Sequence, residues 1–70
     1  MNRVILIIDD YNGYKPYVVL EPQKDYTKKE LEEIGRKWIT EKSKEYGYSR
    51  FNAIVTTAKQ TKACRNRIKI

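Results

Sequence analysis

The sequence predicts a small α+β domain, ordered β-β-α-β-β, with one helix packed on one face of an antiparallel sheet. Three observations predict it. Two β-branched runs flank a turn-forming stretch near the start, a capped amphipathic segment follows, and two alternating apolar/polar stretches close the chain. Seventy residues leave room for one core, so residues 1–70 are expected to form a single compact domain.

In "RVILIIDDYNGYKPYVVLEP" the runs Val4–Ile8 and Tyr17–Leu20 read as a β-hairpin around Asp10-Tyr11-Asn12-Gly13. Asp at the first turn position and Gly at the fourth suit a type I turn, with Gly13 free to take positive φ. A regular register sets Arg3 opposite Glu21, Ile5 opposite Val19, Ile7 opposite Tyr17 and Asp9 opposite Lys15. Pro16 has no amide proton, so the second strand is expected at an edge or to begin only at Tyr17.

"DYTKKELEEIGRKWITEKSKEYGY" predicts a helix over about residues 28–46. Thr27 and Glu30 have the spacing of a capping box, and Tyr26 and Leu31 that of a hydrophobic staple. Leu31, Ile34, Trp38 and Ile39 recur at helical spacing, with Trp38 the expected centre of the core. Gly35 permits a close approach to the sheet, and Gly47 supplies a stop.

"SRFNAIVTT" alternates as a third strand. After the polar "AKQTK", the closing "ACRNRIKI" alternates to the last residue, which favours a fourth strand over a loose tail. A single helix covers only one sheet face, and Val4, Leu6, Ile8, Val18, Leu20, Phe51 and Val55 are assigned to it. The opposite face would then show Ile5, Ile7, Tyr17, Val19 and Ile54. Arg50, Arg65, Arg67 and Lys69 would rim it, as at a partner surface.

The net charge of +6 is concentrated in one place: residues 48–70 carry Arg50, Lys59, Lys62, Arg65, Arg67 and Lys69 and no acid. Such asymmetry points to a nucleic acid or an acidic protein surface as partner.

Catalytic chemistry finds little support. The chain has no histidine and one cysteine, Cys64, which excludes an internal disulfide and argues against a zinc site. Ser43, Ser49 and Cys64 therefore lack a histidine base, and Cys64 is expected to be a buried thiol on the inner face of its strand. Asp9 and Asp10, adjacent in an extended segment, diverge rather than converge on a metal. The glycines are isolated, so no phosphate loop is formed. The expectation is no catalytic residue, no metal, no cofactor and no small-molecule substrate.

The apolar run Val4–Ile8 is too short for a signal peptide or membrane span, and an unpaired cysteine suits a reducing compartment, so a cytoplasmic protein is expected. No motif of the helix-turn-helix, zinc-finger, double-stranded-RNA or oligonucleotide-barrel modules is present. Two functions fit. The first is a non-catalytic module that contacts nucleic acid or a nucleoprotein through Arg50, Lys59, Lys62, Arg65, Arg67 and Lys69. The second is a compact inhibitor or adaptor, of the kind found among phage and mobile-element accessory proteins, that binds protein through Ile5, Ile7, Tyr17 and Ile54. A homodimer is a further way to cover such a face.

Overall fold

The computed structural model describes residues 3–47 and 50–70; Tyr48 and Ser49, at the expected end of the helical segment and start of the third strand, lie outside them. The strands are β1 (Arg3–Asp9), β2 (Lys15–Glu21), β3 (Phe51–Thr57) and β4 (Arg67–Lys69), with helix α1 (Lys28–Lys44) between β2 and β3. They form one sheet in the order β3-β1-β2-β4. The β-β-α-β-β reading thus holds, with one change. β1 pairs antiparallel with β2 and β3, but β4 runs parallel to β2, so the sheet is mixed.

The helix begins where its capping box places it. Thr27 Oγ1 accepts from the Glu30 amide at 3.1 Å, and Glu30 Oε1 accepts from the Thr27 amide at 2.8 Å. Gly47, at φ 74°, ends the segment with its amide donating to the Ser43 carbonyl.

The hairpin departs from its expected register. Asp9 does oppose Lys15, but Ile7 opposes Val18 and Ile5 opposes Leu20, with a bulge between Ile7 and Ile8. Tyr17 is the extra residue. Pro16 cannot donate to the ladder beside it, and the Tyr17 carbonyl instead accepts from the Asn66 side chain at 2.8 Å. One inserted residue reverses the faces of β1 relative to most of β2.

Ile5 and Ile7 therefore point at the helix and are fully buried in a core with Val18, Leu20, Leu31 and Phe51. Tyr17 packs on the same core, its ring 4.8 Å from that of Phe51 and 6.2 Å from that of Trp38. Trp38 is half-buried at the flank, and the helix residues fully inside are Leu31 and Gly35. The partner face expected of Ile5, Ile7 and Tyr17 is thus the inside of the molecule.

Gly35 is where helix and sheet meet most closely. A Cβ built there would lie 2.8 Å from the Ala53 Cβ and 3.1 Å from Ile5 Cγ2. We expect Gly35→Ala to destabilise the fold by about 1–2 kcal/mol, the steric cost exceeding the roughly 1 kcal/mol gained in helix propensity. Ala53→Gly in the same chain should recover part of that loss. Urea denaturation of the two single variants and the double variant measures the coupling.

Candidate functional site

Strands β3 and β4 lie at opposite edges of the sheet, so residues 58–66 must pass over β1 and β2. They do so on the face away from the helix. Val4 and Val19 point to that side, outside the helix-facing core, yet both are buried, and so is Thr61 in the 3₁₀ turn Ala58–Thr61. The second sheet face is therefore partly roofed, and the roof is a basic, acid-free stretch that carries Lys59, Lys62 and Arg65.

Arg67 pins this roof down. It sits beside Val19 in the parallel pair, and its Nη1 donates to the carbonyls of Thr61 (2.8 Å) and Cys64 (3.3 Å). Its Nη2 donates to Thr61 Oγ1 at 3.2 Å, and its Nε pairs with Glu21 at 3.1 Å. One planar fork thus satisfies two loop carbonyls, a hydroxyl and a carboxylate. Cys64 is half-buried in the loop before β4, its thiol 3.7 Å from the Asn66 carbonyl, rather than buried within a strand.

Arg50 is likewise committed within the fold. It forms an ion pair with Asp9, whose side chain is buried, and its guanidinium lies 4.8 Å from the Tyr46 ring centre and 5.3 Å from that of Phe51. Asp9 also accepts from the Tyr11 amide and the Asn12 side chain, each at 3.0 Å. The pair thereby ties the hairpin turn to the start of β3. The Arg50 hydrogen bond, helped by the Tyr11 amide, holds the Asp9 carboxyl below its ordinary value of 3.8.

The remaining sequence-predicted cations, Lys59, Lys62, Arg65 and Lys69, are all exposed. Lys59 and Lys62 line a shallow cleft of about 590 Å³ with Ala58 and Arg67. Lys69 follows Arg67 by two residues on β4 and so shares its face. Along that face the exposed apolar residue is Ile54, 45% accessible, beside the half-buried Leu6. Tyr11 and Tyr14 stand exposed at the hairpin tip, Tyr14 in the left-handed region at φ 61°.

The six cations are contiguous in character along the sequence, yet they divide into two half-buried forks held by acceptors of the fold and four exposed charges. An arginine beside a neutral turn gives no local sign of which distant carboxylate will claim it. Among the described residues, no group of three or more His, Cys, Asp or Glu side chains could hold a metal, and no helix is long and apolar enough to cross a membrane. Compared with known protein families, curated proteins and solved structures, the chain matches none.

Two outcomes test this geometry. Arg67→Ala should cost about 2–3 kcal/mol, because it leaves the Cys64 carbonyl, the Thr61 hydroxyl and Glu21 without this donor, the Thr61 carbonyl keeping only its bond from the Cys64 amide. Arg67→Lys should recover little of it, lacking the fork; thermal melts of both variants decide. Folding selects the ionised Asp9, so its contribution is complete above about pH 4 and is lost as pH falls through the lowered value. Asp9→Asn should therefore be less stable than wild type at neutral pH, with a flatter stability profile below pH 4.

Proposed function

We propose that this protein is a non-catalytic binding module that contacts nucleic acid or a nucleoprotein through the basic segment crossing its helix-free face. The observation that carries the reading is the separation of roles among the cations. Arg50 and Arg67 are used to build the fold, while Lys59, Lys62, Arg65 and Lys69 remain at the surface of one ordered, acid-free segment. Exposed ammonium and guanidinium groups on a fixed backbone suit a row of phosphates, because binding releases condensed counterions without a further ordering cost in the protein. The alternative protein-binding face keeps only Ile54 of its anchors at the surface, since Ile5 and Ile7 are inside and Tyr17 packs on the core.

The test is a titration of labelled single- and double-stranded DNA and RNA at two salt concentrations. Wild type is compared with a Lys59→Ala/Lys62→Ala/Arg65→Ala variant. Arg67 is left intact because its loss would disturb the loop rather than the contact. Binding should weaken steeply with salt, and the variant should lower the slope of log K against log salt by about 2–3 units. Binding that is absent, indifferent to salt or unchanged in the variant defeats the reading.

A further inference from the structure

We infer that the open edge of β3 is a self-association surface, on which a second copy of this chain pairs antiparallel to extend the sheet. In an antiparallel ladder the amide and carbonyl of a residue point to the same side, alternating along the strand. The Asp10 amide donates to the Arg50 carbonyl at 2.8 Å, which fixes the phase of the β1–β3 ladder. By alternation Asn52, Ile54 and Thr56 bond inward to Ile8, Leu6 and Val4. Phe51, Ala53 and Val55 are left with their backbone groups aimed out of the sheet. Among the described residues nothing bonds to those groups.

The two edges of the sheet are built differently. β4 is three residues long and carries Arg67 and Lys69, which discourages a further strand. β3 is seven residues of "FNAIVTT", without a charge, proline or glycine. It thus lacks the usual devices that blunt an edge, although the chain as a whole carries +6. A second copy is the occupant that the surroundings fit. With the two-fold axis at Ala53, that residue faces its own copy and Phe51 faces Val55, giving on the order of six inter-chain hydrogen bonds. Ile54 is drawn out of water beside the second copy's Asn52.

The helices support the same arrangement. Gly35 presses on both Ala53 and Ile5, so α1 lies above the gap between β3 and β1. At the ordinary strand spacing, two such helices related through the β3 edge run antiparallel about 10 Å apart, within the range of direct helix packing. The axis passes near Gly35, bringing Glu32 of one helix abreast of Arg36 of the other. Both residues line the groove between α1 and β3. Neither forms an ion pair among the described residues, whereas Lys42–Glu45 and Glu41–Lys44 do form on the same helix.

Sedimentation velocity from low micromolar to several hundred micromolar, at physiological salt to screen the net charge, tests this directly. Wild type should move from monomer to dimer. Ile54→Lys, which places a charge on the exposed side of the edge strand, should weaken the dimer by about tenfold or more without lowering the melting temperature of the monomer. Glu32→Arg should weaken it too, and the Glu32→Arg/Arg36→Glu exchange should restore it. Amide exchange at Phe51, Ala53 and Val55 should slow as concentration rises. A wild type that stays monomeric throughout overturns the inference. So does a dimer indifferent to both single substitutions, or one whose β3 amides exchange as fast as in the monomer. Should Ile54→Lys fail to fold, the Glu32 and Arg36 charge exchange decides alone.

Discussion

Strands β3 and β4 are consecutive in the chain yet occupy opposite edges of the sheet, and the rest of the molecule is arranged around that fact. Both run parallel to β2, so α1 joins one parallel pair and residues 58–66 join another. The two connections travel in opposite directions across the sheet. Parallel crossovers are nearly always right-handed, and two of opposite direction can both be right-handed only on opposite faces. The helix occupies one face with a conventional apolar stripe. The other receives a short polar segment whose apolar contribution is small. Thr61 is buried there, and Arg67 supplies side-chain donors to the Thr61 and Cys64 carbonyls, the first of which also accepts from the Cys64 amide.

That arrangement divides the positive charges by chemistry. Two half-buried arginines each hold acceptors of the fold with a planar fork: Arg50 across Asp9, and Arg67 across Glu21 and the crossover. Three of the four exposed cations of this segment are lysines, whose flexible stems keep a hydrated charge outward. The same backbone path that hides Val4 and Val19 thus displays Lys59 and Lys62. Burial and charge display are two consequences of one crossover.

The first strand pair shows how narrow the margin of a sequence reading can be. Val4–Ile8 is apolar at every position, so its own pattern does not say which side faces the helix. The decision falls to β2, where the bulge at Tyr17 moves Val18 and Leu20 into line with Ile7 and Ile5. The bulge depends on Pro16, visible locally, and on Asn66, whose side chain reaches the Tyr17 carbonyl from the far end of the chain. Asn66, the one polar residue on the apolar side of the closing alternation, has its place there for this reason.

The sequence by itself determined the elements whose signals are local. Thr27 and Glu30 start the helix, Gly35 marks its closest approach to the sheet, Asp10 to Gly13 turn the hairpin, and the alternation after Arg50 makes a strand. It also determined that the net positive charge is concentrated in the last third of the chain, where no acid offsets it. The tertiary structure decided everything that depends on pairs far apart: the parallel docking of β4 on β2, the face on which Ile5 and Ile7 lie, and which arginines are consumed. Caps and turns are set by hydrogen bonds within a few residues, and such bonds leave a pattern in the sequence. A bulge, a crossover and a buried ion pair are set by partners some forty residues or more away, and each acquires its meaning only once the chain has closed on itself.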